Sequence, residues 1–73
     1  MNKYQIISYV KEEMLANPYI SDQFAWDIAC LAEDNGDAEA LVYRWMEAET
    51  DEEKYMIERV MEDLLKARDT WNT

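Results

Sequence analysis

The scarcity of proline and glycine is the feature that most constrains the fold, because the 73-residue chain contains one of each, Pro18 and Gly36. Turn-dense β architectures need many such residues, whereas helices tolerate few in their interiors. Helix-capping residues stand beside both positions and again at Thr50. We therefore predict four helical stretches with short connections, in a single acidic domain spanning residues 1–73. The predicted fold class is all-α, a compact bundle of three to four short helices.

The first predicted helix runs from about Lys3 to Ala16. Asn2 is its N-cap, and Gln5, three residues later, completes a capping box. Helical spacing places four apolar residues on one face: Ile6, Ile7, Val10 and Met14. The helix ends at Asn17-Pro18, because proline disfavours helix at the residue that precedes it.

The second predicted helix follows the N-cap Ser21 and runs from about Asp22 to Asn35, and we expect Gly36 to end it in the left-handed conformation. Its core-facing residues are Phe24, Ala25, Ile28, Leu31 and Ala32. Trp26 and Cys30 lie on the opposite side. Either this helix is buried on both sides, or Trp26 anchors an interface with a partner. Cys30 has no basic neighbour in sequence, so we interpret it as a small buried hydrophobe rather than a nucleophile.

Two further helices are predicted from the remaining sequence. The third runs from Ala38 to about Ala48, with Asp37 as its N-cap, and its inner face comprises Ala38, Leu41, Val42 and Trp45. The fourth runs from Asp51 to about Arg68, after a capping box that begins at Thr50. Its predicted inner face comprises Ile57, Val60, Met61, Leu64 and Leu65, and we expect Trp71 to pack beyond its end.

The absence of histidine and the presence of one cysteine, Cys30, exclude several kinds of chemistry. Imidazole acid–base catalysis, Ser-His and Cys-His nucleophile pairs, and His- or multi-Cys zinc sites all need residues that are missing. The segment 33–39 resembles a calcium loop, but Leu31 and Val42 would occupy its first and last ligand positions. We therefore expect no enzyme activity, no cofactor and no metal.

The chain carries 17 acidic and 7 basic residues, a formal net charge of −10. Such a field repels phosphate, so direct binding to nucleic acid or to an anionic membrane is disfavoured and a cationic protein is the expected partner. Residues 1–15 lack the apolar core of a signal peptide, and no segment approaches the ~18 consecutive apolar residues of a membrane span. With a lone cysteine, these features predict a reducing, cytoplasmic location.

Most of the excess charge lies in residues 33–53, where nine acids accompany one base, Arg44, for a net charge of −8. Helical phase places acids in two stripes away from the core, each interrupted by a tyrosine. The first stripe is Glu39, Tyr43 and Glu47, and the second is Asp51, Tyr55, Glu58, Glu62 and Asp69. Carboxylates four residues apart are separated by ~6 Å along the helix axis, which is close to the spacing of every second phosphate in a DNA strand.

Plainer interpretations compete with a binding role for these acids. Acids at helix N-termini stabilise the helix dipole, which accounts for Asp37 and residues 51–53, and acidic surfaces keep small proteins in solution. A helix–turn–helix would use residues 38–48 for DNA recognition, but the groove phosphates would repel Glu39 and Glu47. The acids that capping does not explain, Glu39, Glu47, Glu58 and Glu62, therefore carry the functional hypothesis.

The acidic block 33–53, with the outer face of residues 54–69, gives the chain a profile that resembles the small acidic inhibitors of phages and mobile elements. These are proteins of the anti-CRISPR or anti-restriction type, several of which imitate nucleic-acid phosphates with carboxylates and occlude a basic channel. The resemblance implies a non-enzymatic inhibitor that binds a basic nucleic-acid-binding protein or complex in the cytoplasm of a bacterial host cell. The two stripes would then supply the partner-binding residues Glu39, Tyr43, Glu47, Asp51, Tyr55, Glu58 and Glu62, with Trp26 as a further anchor.

The alternative function is that of a helical adaptor or homodimerising module. Its interface would be the apolar Trp26/Cys30 face together with the Met/Ile seam of the fourth helix. Dimerisation would also enlarge the core of a short chain, since a ~60-residue domain buries only about 60% of its unfolded surface. The two hypotheses differ in salt dependence, because salt weakens an acidic interface and leaves an apolar one intact.

Overall fold

Helix capping sets the limits of the helices in the computed structural model, which describes residues 2–71 and the side chains of residues 2–68. The helices are α1 (Lys3–Ala16), α2 (Asp22–Asp34), α3 (Gly36–Glu47) and α4 (Asp51–Trp71). No strand occurs in residues 2–71. The Cα radius of gyration is 11.4 Å, against about 11 Å expected for a compact chain of this length. The predicted all-α bundle is confirmed.

The first helix is built as its local sequence predicts. The Asn2 side chain accepts a hydrogen bond from the Gln5 amide at 2.9 Å, and the Gln5 side chain accepts one from the Asn2 amide at 2.9 Å. At the other end, the Asn17 amide donates to the Met14 carbonyl and Pro18 follows. Both ends of α1 therefore depend on residues within three positions of the boundary, and the predicted limits are confirmed.

The junction between α2 and α3 differs from the prediction. Asn35 is at once the C-cap of α2 and the N-cap of α3, and its side chain accepts hydrogen bonds from the amides of Asp37 and Ala38 at 2.9 and 3.0 Å. Gly36 is the first residue of α3 and has no positive φ. The predicted left-handed Gly36 and the predicted N-cap at Asp37 are therefore wrong, because Asn35 caps the helix two residues earlier.

The core lies around α2, which packs against all three other helices. The face that α2 buries is made mainly of alanines, whose small side chains allow neighbouring helices to approach closely. The buried residues of the four helices are Ile7, Val10, Met14, Ala25, Ile28, Ala29, Ala32, Ala38, Val42, Trp45, Met61 and Leu65. The predicted core residues Phe24, Leu31, Leu41, Ile57 and Leu64 pack partly buried against this cluster.

Two residues assigned to the interior are exposed. Cys30 is a free, exposed thiol, so its assignment as a buried hydrophobe is wrong. The neighbours of α2 pack on its alanine face, and the side that carries Trp26 and Cys30 is left at the surface. Val60 is 49% exposed, because α4 packs through Met61 and Leu65, with Ile57 and Leu64 partly buried beside them, and Val60 lies outside this stripe.

The last helix extends to Trp71, three residues beyond the predicted end at Arg68. The predicted packing of Trp71 and the place of Asp69 in an acidic stripe concern side chains that lie outside the described residues. Among residues 2–71, the helices are all too short or too polar to cross a bilayer.

Candidate partner-binding surface

The acidic stripe of α3 is partly turned inward at its start. The Lys3 ammonium lies 3.7 Å from the Glu39 carboxylate and donates a 2.9 Å hydrogen bond to the carbonyl of Glu33. Burial, the neighbouring charge of Glu39 and a hydrogen bond to that carboxylate raise the pKa of the Tyr43 hydroxyl. Tyr43 also packs, partly buried, against the core. Glu39 and Tyr43 therefore belong to an intramolecular contact with α1.

The acidic stripe of α4 is also engaged within the protein. Glu58 was predicted to face away from the core, and this is wrong: it is half-buried, and its Oε2 accepts a 2.8 Å hydrogen bond from the indole N–H of Trp45. Glu62 lies 3.0 Å from the Lys66 ammonium, and a hydrogen bond and the charge of Lys66 lower the pKa of the Glu62 carboxyl. Asp51 and Tyr55, at the start of this stripe, are exposed.

The densest group of exposed carboxylates lies where α3 passes into α4. We call this group the acidic junction, and it comprises Glu47, Glu49, Asp51, Glu52 and Glu53, all exposed. Within the described side chains, none of these carboxylates takes part in a hydrogen bond or an ion pair. The last three lie in the first turn of α4, where the helix dipole favours negative charge. Glu47 is the last residue of α3, where the dipole disfavours it.

A groove runs between the α1–α2 connection and α4. It consists of two adjoining depressions, of about 580 and 710 Å³, which share Tyr19, Ile20, Tyr55 and Glu58. We call it the α4 groove. The first depression is completed by Ser21, Phe24, Arg59 and Glu62, and the second by Glu13, Ala16, Asn17, Pro18, Trp45, Asp51 and Lys54.

The structure brings some of the predicted partner-binding residues together and separates others. Asp51, Tyr55, Glu58 and Glu62 all line the α4 groove. Glu47 instead lines a shallow depression with Arg44, Ala48, Glu53, Met56 and Ile57. Glu39 and Tyr43 lie beside Lys3. Trp26 is apart from all of these, 51% exposed, with the Lys11 ammonium 4.0 Å from its ring centroid. The eight residues therefore do not form one continuous surface.

Sequence reasoning missed Tyr19, which is 95% exposed. The Tyr19 amide donates a 2.8 Å hydrogen bond to the Asn17 side chain, and the Ile20 amide donates to the Asn17 carbonyl at 3.2 Å. Asn17-Pro18 was interpreted only as a helix stop. The same two residues form a turn that presents an aromatic side chain, and an Asn-Pro turn followed by a tyrosine is the signal that was available.

Four of the seven basic residues of the chain lie close to aromatic rings. Lys3, Lys11, Lys54 and Arg59 lie over the rings of Tyr4, Trp26, Trp45 and Tyr55, at 5.2, 4.0, 4.6 and 6.0 Å from the centroids. A cation within about 6 Å of a ring centroid is attracted by the ring quadrupole. The aromatic surfaces of this protein therefore already accommodate positive groups.

Neither metal-site geometry nor comparison with known proteins assigns a function. Among the described residues, no three Cys, Asp or Glu side chains are grouped so that they could hold a metal ion. Comparison of the chain with protein-family models, curated proteins and solved structures found no match.

Proposed function

We propose that this protein is a non-enzymatic inhibitor that binds a basic, nucleic-acid-binding surface of a partner protein and occupies it in place of nucleic acid. The acidic junction would supply the main contact surface, with Tyr55 beside it. This is the function class that the sequence profile resembles, with the binding residues revised by the geometry. Glu39 and Glu58 carry less weight than the sequence suggested, because Lys3 and Trp45 already engage their carboxylates.

The position of Glu47 is the observation that carries the proposal. Capping accounts for acids in the first turn of α4, but Glu47 ends α3, where its charge opposes the dipole, and Glu49 follows it closely. Both carboxylates are exposed and add to the repulsion at the junction. These charges cost stability and make no internal contact among the described side chains, and a cationic partner would account for them. The same charges would attract that partner and speed its association.

Charge reversal at one position tests the proposal. Glu47→Lys would stabilise the folded protein by about 0.3–1 kcal/mol, since a cation suits a helix C-terminus. The relevant partners are basic proteins that the wild-type protein captures from a lysate of the source organism, that bind nucleic acid, and from which the wild-type protein displaces that nucleic acid. The same change would weaken binding to these partners. Unfolding in urea and competition against a labelled DNA or RNA duplex measure the two effects separately.

The matched control is Glu12→Lys, which alters net charge equally at an exposed position on α1. It should leave displacement close to wild type. If both variants weakened displacement equally, the effect would come from net charge alone, and the role of the acidic junction would be overturned. Captured partners that bind no nucleic acid would overturn the inhibitor proposal.

A second candidate function is self-association or adaptor binding through the Trp26/Cys30 face. It is favoured by the exposure of Trp26 and Cys30 on the side of α2 that faces away from the core. Sedimentation at two salt concentrations tests it. A salt-insensitive dimer that Trp26→Ala converts to a monomer would support this candidate, and a monomer under both conditions would exclude homodimerisation.

A further inference from the structure

The α4 groove combines aromatic walls with carboxylates. Tyr19 and Tyr55 lie in both of its depressions, and the buried ring of Trp45 lines the second. Tyr55 is 58% exposed, so both tyrosines offer ring surface to solvent. Aromatic rings in an open groove are suited to a flat or cationic side chain of a partner.

The backbone of Tyr19 is held at a defined place beside the groove. Pro18 restricts the backbone that precedes Tyr19. The Asn17 side chain accepts a hydrogen bond from the Tyr19 amide, and the Asn17 carbonyl accepts one from the Ile20 amide. The connection between α1 and α2 is therefore an ordered turn, although the Tyr19 side chain itself makes little contact with the core. A preformed binding element loses less entropy on association than a mobile one.

The charge of the groove favours a cation. Four carboxylates line it, those of Glu13, Asp51, Glu58 and Glu62, against two cations, Lys54 and Arg59. Glu62 is already paired with Lys66, and the other three carboxylates still outnumber the two cations. Both cations are placed on its aromatic rings: Lys54 lies 4.6 Å from the Trp45 centroid, and the Arg59 guanidinium lies 6.0 Å from that of Tyr55. Arg59 also donates a 3.4 Å hydrogen bond to the Tyr55 hydroxyl. The groove thus already holds a guanidinium beside one of its tyrosines.

Glu58 is the best-positioned acceptor in the groove. The indole N–H of Trp45 binds its Oε2 and so orients the carboxylate, while no described side chain donates to its Oε1. Because Glu58 is half-buried, an ion pair formed there would be screened less than one at the acidic junction. Its carboxylate is therefore ready to accept a further charge-assisted hydrogen bond.

We propose that the α4 groove binds an arginine side chain from an exposed segment of the protein partner, with the guanidinium between Tyr19 and Tyr55 and hydrogen-bonded to Glu58. This inference rests on the proposed function, since it names the group that such a partner would present. Arginine fits better than lysine, because its planar guanidinium stacks on rings and donates several hydrogen bonds in a fixed geometry. Nucleic acid is disfavoured as an occupant, because its phosphates would meet the groove carboxylates.

Two synthetic peptides provide the test. One is a short Gly/Ser peptide with two central arginines, and the other has lysines at those positions. Titrated at low salt into isotopically labelled protein, the arginine peptide should shift the amide signals of Tyr19, Ile20 and Tyr55. We expect it to bind about two- to fivefold more tightly than the lysine peptide, because a guanidinium stacks on the rings and hydrogen-bonds the carboxylate in a fixed geometry that an ammonium lacks. Equal affinity for the two peptides would overturn the inference.

Variants locate the effect in the groove. Tyr19→Ser should remove most of the preference for arginine without unfolding the protein, since Tyr19 is almost fully exposed. Tyr9→Ser, at an exposed tyrosine of α1, is the matched control and should keep the preference. Arg59→Gln should tighten binding of both peptides by about two- to fivefold, because it removes a competing cation from the groove.

The same titration separates this inference from the function on which it rests. If the arginine peptide shifts the amide signals of Glu47, Glu49 and Glu52 and none of those of Tyr19, Ile20 and Tyr55, the groove inference fails while the proposed function stands. If Tyr19→Ser removes the arginine preference but no captured basic partner is displaced from nucleic acid, the groove assignment stands and the inhibitor proposal fails. An arginine preference that survives Tyr19→Ser would overturn the assignment to the groove.

Discussion

Trp45 illustrates how one residue joins the core to the candidate site. Its ring is buried, its indole N–H binds the Glu58 carboxylate at 2.8 Å, and Lys54 lies over it at 4.6 Å. A buried indole N–H needs an acceptor, and here the acceptor is a carboxylate that lines the α4 groove. The packing of the core therefore determines where one of the groove's charges lies.

Trp45→Phe should lower the free energy of unfolding by about 1–2 kcal/mol, because it removes the donor to a half-buried carboxylate and leaves a small void. Unfolding in urea measures the loss. The matched control is Trp26→Phe, which shortens a half-exposed ring that has no such partner and should change stability by less than half as much. Equal losses in the two variants would show that the hydrogen bond to Glu58 contributes nothing.

Tyr43 should make stability fall at alkaline pH. Burial, the charge of Glu39 and a hydrogen bond to it raise the Tyr43 pKa above its ordinary value of 10.0. Above pH 10 the unfolded chain loses this proton while the folded protein retains it, so stability falls as the pH rises through the folded pKa. Urea unfolding between pH 8 and about pH 11 should show a steeper loss for the wild type than for Tyr43→Phe. Parallel profiles would contradict the shift.

At the scale of the elements, the structure of the α2–α3 junction and the sequence interpretation predict opposite changes in stability when Gly36 is replaced by alanine. Gly36 begins α3, has no positive φ, and a Cβ added there would meet no atom within 4 Å. Gly36→Ala should therefore raise the free energy of unfolding by about 0.5 kcal/mol. A left-handed Gly36 would instead make the change destabilising by about 1 kcal/mol. Urea unfolding distinguishes the two, and Ala40→Gly, in the same helix, calibrates the scale.

Most helix limits could be predicted from local signals, although at the α2–α3 junction two local caps competed and Asn35 prevailed over Asp37. The errors in side-chain exposure arose where a distant contact decided. The limits of α1 follow from Asn2, Gln5 and Pro18, all within a few residues of its ends. By contrast, helical periodicity identifies the apolar face of a helix but not how much of that face the neighbouring helices cover. Val60 is therefore exposed at the edge of α4, and Glu58 is drawn inward by Trp45, thirteen residues earlier in the chain.

For the candidate site too, local sequence predicts one part and tertiary contacts decide the other. The concentration of acids in residues 33–53 is readable from the sequence, and so is their likeness in charge to a phosphate array. Which of them are available depends on tertiary pairs, such as Lys3 with Glu39, that join residues more than thirty positions apart. The α4 groove depends on the approach of the α1–α2 connection to α4, and no periodicity encodes that approach.

At the scale of the whole molecule, ten net negative charges lie on a body of 35 × 26 × 18 Å. These dimensions are similar to the Debye length of ~30 Å at 0.01 M salt and well above the ~10 Å at 0.1 M. Added salt should therefore screen self-repulsion and raise the free energy of unfolding. Urea unfolding from low to moderate NaCl measures this increase, which should be smaller for Glu47→Lys than for the wild type. A fall in stability with salt would mean that ion pairs such as Glu62–Lys66 outweigh the repulsion.

The double role of Asn35 has a consequence for how the molecule opens. Its amide closes α2 by donating to Leu31, its carbonyl accepts from Glu39 in α3, and its side chain holds the amides of Asp37 and Ala38. Fraying of the last turn of α2 therefore releases the first turn of α3 in the same event. In hydrogen exchange, the amides of Asn35 and Ala38 should share one opening free energy, and the two helices should behave as a single cooperative unit across this residue.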